Sequence, residues 1–131
     1  MTFTHKDAFG LLEKSDNILV LTHRNPDGDA VGSAFALYYA LREMGKNVRV
    51  EIDTVPSSLS FPEEAFGDFE ADFVVTVDVA DNKLLTNEHF ERYGDKVYLA
   101  IDHHEMNKPF AEHLLLDPGA SAACEVIFDM L

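Results

Sequence analysis

Three short runs constrain this chain most: Ile18–Leu21 (ILVL), Phe73–Val77 (FVVTV) and Val97–Ile101 (VYLAI). None alternates apolar with polar residues, as a strand with one wet face would. Runs of this length, rich in β-branched side chains, suit strands buried on both faces, which is the habit of parallel sheets. Val48–Ile52 reads as a further strand and Leu114–Leu116 as a fifth. Helical patterns separate them. Thr4 to Ser15 places Phe3, Ala8, Leu11 and Leu12 on one side. Ala30 to Met44 repeats Val31, Ala34, Phe35, Tyr38, Leu41 and Met44 at helical spacing, with Gly45 as its stop. Thr86 caps a helix to Tyr93 that Gly94 ends, and Ser121 caps a last one through ASAACEVIFDML. Residues 54–71 read as loop with one short helix at Glu63–Phe66. Strands alternating with helices predict an α/β domain: a mainly parallel β-sheet with helices on both faces.

In such sheets ligands bind beyond the carboxyl ends of the strands, so the residues at the end of each run matter. ILVL leads into THRNPDGDA, FVVTV into DVAD and VYLAI into DHHEMN. Segments far apart in sequence therefore bring His23, Asp27, Asp29, Asp78, Asp102, His103 and His104 to one sheet edge. So many carboxylates raise one another's pKa or repel unless a cation neutralises them. Carboxylate oxygen and imidazole nitrogen without thiolate suit Mn²⁺, with Mg²⁺, Co²⁺, Fe²⁺ or Zn²⁺ as alternatives. Two ions about 3.5–4 Å apart could share one bridging carboxylate and activate water for attack on phosphorus.

Each segment also has a plain reading. Asp27 and Asp29 precede a helix, where Asp is a common N-cap, and NPDGD is good turn chemistry. Asp78 and Asp81 could simply end a strand. One histidine of His103–His104 could be a packed core residue. The coincidence of all three at strand ends favours metal chemistry. His5, His89 and His113 are read as solvated, and Cys124 as a small core residue. The acidic stretch through Glu63, Glu64, Asp68, Glu70 and Asp72 is read as a solvated face.

The chain has 131 residues and a formal charge of −14, so it has one domain's worth of length and an acidic surface. That charge argues against wrapping long nucleic acid, whose phosphates need Lys and Arg, and against an anionic membrane. A small anionic substrate held through metal ions stays compatible, because a bound cation reverses the local charge. A single cysteine rules out a disulfide scaffold. With no apolar run near 20 residues and no signal-like N-terminus, a soluble cytoplasmic protein is expected.

These segments resemble the DHH family of phosphoesterases. The name-giving triplet is Asp102–His103–His104. The first family motif is similar to His23-Arg24-Asn25-Pro26-Asp27-Gly28-Asp29 with Gly32-Ser33 after it, and the second to Asp78-Val79-Ala80-Asp81. Asp117-Pro118-Gly119-Ala120-Ser121 with Glu125 resembles the stretch after the triplet. The pattern is most similar to the nanoRNase branch, which degrades very short oligonucleotides and removes a phosphate from adenosine 3′,5′-bisphosphate. The resemblance implies a Mn²⁺ enzyme in which His23 and Asp27 bind one ion, Asp29 and His103 the other, and Asp78 bridges both. It implies that His104 faces the scissile phosphate and that Asp102 orients a histidine from behind. Asn25 and Asp81 would hold the motif loops, and Ser121 would approach substrate.

Family members continue with another Asp-containing motif and a second domain whose glycine-rich segment grips substrate. Residues 1–131 are therefore expected to form an incomplete DHH-type domain, either the N-terminal part of a longer protein or a degenerate remnant, with weak or no turnover. Asp117 and Asp129 are the carboxylates available after Leu116. Three readings compete: a metal-dependent phosphoesterase for short oligonucleotides or nucleotide bisphosphates (with cyclic dinucleotides, pyrophosphate or polyphosphate as other substrates of the same chemistry), a non-catalytic metal- or nucleotide-binding fragment, and a plain α/β domain. Oligomeric state is left open.

Overall fold

A computed structural model describes residues 4–52 and 70–130. The short helix expected at Glu63–Phe66 lies outside the described residues. The elements are α1 (His5–Glu13), β1 (Asn17–Leu21), α2 (Gly28–Glu43), β2 (Asn47–Glu51), β3 (Phe73–Val77), α3 (Asn87–Tyr93), β4 (Leu99–Asp102), β5 (His113–Leu116) and α4 (Ala123–Met130). A single 3₁₀ turn, Asn82–Leu84, lies between β3 and α3.

All strand pairs are parallel, in the order β2-β1-β3-β4-β5. From β1 the chain moves one way to β2 and the other way to β3, β4 and β5. Right-handed crossovers then put α2 and α3 on opposite faces. The burial pattern agrees. Ile18 and Val20, Phe73, Val75 and Val77, and Leu99 and Ile101 share one core with residues of α1, α2 and α4. The alternate residues Leu19, Leu21 and Val74 face a smaller core with Val79, Leu85, Val97 and Tyr93. Successive strand side chains point to opposite faces, so runs that are apolar throughout feed both cores at once. Among the described residues no helix is long and apolar enough to cross a membrane.

Local chemistry sets the helix ends. Thr4 and Asp7 form a reciprocal capping box at α1. Thr86 Oγ1 accepts from the His89 N–H at α3. Gly45, at φ +84°, comes after α2; its N–H donates to the Arg42 carbonyl, and that of Lys46 to Leu41. This two-bond closure needs a left-handed residue, which only glycine adopts without strain.

Three expectations are corrected. The last helix begins at Ala123 and is not capped by Ser121; the Ser121 N–H and hydroxyl both donate to Glu125. Cys124 is exposed, because α4 buries Ala123, Val126, Ile127 and Met130, a stripe that leaves position 124 outside. His89 is buried, its Nε2 3.3 Å from Glu51 Oε1, because α3 lies on the sheet with that position inward. Strand edges shift by one or two residues: β2 begins at Asn47, and β4 begins at Leu99 and takes in Asp102.

A Cβ at position 45 would meet nothing within 4 Å, so Gly45→Ala tests backbone conformation alone. The substitution is expected to lower stability by about 1 kcal/mol. Urea denaturation checks this, and an unchanged midpoint would contradict the closure described.

Candidate metal centre

The order of strands changes direction between β1 and β3, and the loops leaving these two strands part to open a crevice there. The β1 loop carries His23 and Asp27, β3 hands over to Asp78, and neighbouring β4 ends in Asp102, with His103 and His104 directly after it.

Asp78 sits at the centre. It is 3% exposed and has φ 62°, a left-handed backbone rare for a residue with a side chain. Its Oδ2 lies 3.5 Å from His23 Nε2, and its Oδ1 lies 3.4 Å from His103 Nε2 and 3.8 Å from His104 Nδ1. Oδ1 is buried with no hydrogen-bond partner among the described residues. A buried carboxylate oxygen without a donor is unfavourable in a protein interior unless a cation satisfies it.

The histidines are set to face it. His23 Nδ1 lies 2.7 Å from the Arg24 carbonyl oxygen, which can only accept, so Nδ1 carries the proton and Nε2 points to Asp78. The Asp78 carboxylate beside Nε2 raises the His23 pKa to about 9. A proton thus holds the place that a cation would take. Asp27 Oδ1 lies 4.0 Å from the same nitrogen and also caps α2, accepting from the Ala30 N–H at 2.9 Å. The capping and ligand readings of Asp27 therefore fit one side chain.

The second group joins Asp78, Asp102, His103 and His104, each offering a ligand atom within 4.8 Å of the others. Asp102 is fully buried and engaged on both oxygens. Oδ1 accepts from His104 Nδ1 at 2.6 Å and Oδ2 from Asn107 Nδ2 at 2.8 Å. Burial lowers the His104 pKa, but the hydrogen bond and charge of Asp102 outweigh it, and the net shift is upward. The second nitrogen of His104 is left for the cavity that this residue lines with His23, Asp27 and Asp78, about 270 Å³ in volume. Asn107 is a partner that the sequence pattern does not single out, although it stands in the run Asp102-His103-His104-Glu105-Met106-Asn107.

Asp29 stands differently. Its Oδ2 lies 3.5 Å from His103 Nε2, but both oxygens already accept helix N–H groups from α4: Ala123 on Oδ2 and Cys124 on Oδ1, each at 3.0 Å. Ser33 Oγ donates to Oδ1 as well, at 3.2 Å. Asp29 is thus the cap that α4 takes from across the fold. Asn25 adopts φ 51° in the β1 loop, a conformation asparagine tolerates. Asp81 accepts from the Lys83 N–H at 3.0 Å and starts the 3₁₀ turn. Ser121 is tied to Glu125 and is not part of the Asp78 cluster. Asp117 and Asp129 group with His5, whose Nε2 lies 3.7 Å from Asp117 Oδ2.

Residues 17–131 match the model of the DHH family, N-terminal domain. The chain is 31% identical over 121 residues to the bifunctional oligoribonuclease and PAP phosphatase NrnA of Thermus thermophilus, spanning 87% of this chain and 36% of that one. It is 31% identical over 121 residues to the protein of the same name from Bacillus subtilis, with 88% and 38% covered. The chain therefore spans little more than a third of these relatives. Its fold superposes with a TM-score of 0.79 on an exopolyphosphatase-related protein from Bacteroides fragilis, at 25% identity, covering 96% of this chain and 42% of that one.

The double engagement of Asp29 separates capping from metal binding. In chelator, Asp29→Ala is expected to lose about 1–2 kcal/mol of stability with the α4 cap. His103→Ala removes no helix partner and should stay within about 0.5 kcal/mol of the parent. Equal stability of the two variants in metal-free denaturation would rule out the cap.

Proposed function

The chain belongs to the DHH family, and we propose that it carries the metal-binding site of a phosphoesterase acting on short oligonucleotides or nucleotide bisphosphates. One observation supports this above the rest: the buried Asp78 carboxylate lies between His23 and His103, each nitrogen within 3.5 Å of a different oxygen. A carboxylate presented this way suits a bridge between two cations.

In this reading His23 and Asp27 would hold one ion, His103 and Asp29 the other, and Asp78 both. The donor set fits Mn²⁺, with Mg²⁺ or Co²⁺ as alternatives. The ions would lower the pKa of a water and absorb charge on the phosphoryl oxygens. Asp29 brings a carboxylate whose direction α4 has already set, so less ordering is required on binding. His104, oriented through Nδ1 by Asp102, turns its other nitrogen to the cavity. There it can hold a proton for the leaving oxygen or balance charge on the phosphate. Asn107 completes the hydrogen bonding of Asp102, keeping that carboxylate fixed while buried. Asn25 and Asp81 shape the loops that carry these groups.

NrnA relatives are named for oligoribonuclease and PAP phosphatase activity, which supports the choice of substrate class. Titrating the chain with Mn²⁺ by calorimetry tests the centre. About two ions per chain are expected, with specific binding lost in Asp78→Ala, because that change removes a ligand from both. Undiminished stoichiometry in the variant would sink the bridging role. Short oligoribonucleotides and adenosine 3′,5′-bisphosphate are the substrates to incubate next. A Mn²⁺-loaded chain that hydrolyses neither would leave metal binding as its activity.

A further inference from the structure

Part of the lining of the cavity beside Asp78 is chemically unlike the rest. Besides the carboxylates and histidines, the lining includes Arg24, Asn25, Ala80 and Leu84. Leu84 and Leu85 are neighbours in sequence with opposite fates: Leu85 is 1% exposed in the smaller core, and Leu84 is 39% exposed at the cavity. Arg24 is exposed and anchored beside it. Its backbone N–H donates to the Leu84 carbonyl at 2.7 Å, and its Nη1 donates to the Lys83 carbonyl at 3.2 Å. Among the described residues no carboxylate pairs with this guanidinium, although the chain carries a charge of −14.

The two hydrogen bonds hold the Arg24 loop against the 3₁₀ turn, so the cation and the exposed leucine are presented together. An anion alone would use only the cation. A planar aromatic ring uses both, because guanidinium is flat and weakly hydrated and stacks on π faces, while leucine covers apolar area. We propose that Arg24 and Leu84 form a nucleobase-binding wall next to the metal centre, so that the site prefers a phosphate carried by a nucleoside over inorganic phosphate chains. This rests on the phosphoesterase reading above and narrows its substrate class.

The test is equilibrium binding of adenosine 5′-monophosphate and of inorganic phosphate to the Mn²⁺-loaded chain. The parent should bind the nucleotide about tenfold more tightly than phosphate, and Leu84→Ser or Arg24→Ala should each remove about fivefold of the nucleotide affinity. Phosphate affinity should stay within about twofold in both. Arg24→Lys keeps the charge without the plane and should behave like Arg24→Ala. Circular dichroism of each variant should match the parent, as both side chains are exposed.

Equal affinity for the two ligands in the parent overturns the wall. So does a variant that weakens phosphate as much as nucleotide, which would make Arg24 a phosphate contact. A chain that takes up Mn²⁺ yet binds neither ligand overturns it too. Failure to take up Mn²⁺ at all is a different result: it strikes the metal centre, through the calorimetry described for Asp78.

Discussion

Everything at the site depends on β1 lying beside β3. Their parallel pairing runs from Ile18 opposite Phe73 to Leu21 opposite Thr76, which fixes the height at which both strands end. His23 and Asp78 are 55 positions apart in the chain, yet their charged atoms meet at 3.5 Å. β4, paired on the other side of β3, brings in Asp102, His103 and His104 at the same level. A one-residue slip of β1 would turn Leu19 and Leu21 into the wrong core and carry the β1 loop out of reach. The hydrophobic pattern that specifies register is therefore also what assembles the polar cluster.

Much of this could be read from the residues themselves. Uninterrupted apolar runs can only be satisfied by burial on two faces, which dictates parallel strands under helices. The change from apolar run to Asp and His at three separate strand ends then located the edge that matters. The parts that could not be read depend on partners far away in sequence. The cap of α4 is an example: Ser121 is the local candidate, but the helix takes Asp29, 94 positions earlier. Cys124 sits between apolar neighbours in the sequence, and only the rotational phase of α4 against α2 and α1 shows that it faces outward. His89 looks polar and surface-like until Glu51, at the end of β2, supplies a partner.

Several carboxylates here hold two jobs. Asp27 caps α2 while facing His23. Asp29 caps α4 while facing His103. Asp102 orients His104 while accepting from Asn107. Helix N-termini carry partial positive charge, so they hold Asp27 and Asp29 in place and offset part of the mutual repulsion. The acidic cluster is thus partly neutralised by backbone before any ion binds, which explains how a compact fold tolerates it.

The left-handed backbone at Asp78 has a consequence of its own. An aspartate there sits in a conformation disfavoured by about 1–2 kcal/mol, and its buried Oδ1 has no donor among the described residues. Glycine would relieve the backbone strain but would also break the pairing with His23. On backbone grounds alone, aspartate is a poor choice for this position. What aspartate brings in return is the charge it presents to His23 and His103. Position 78 is thus where the demands of folding and of chemistry pull a population of sequences in opposite directions.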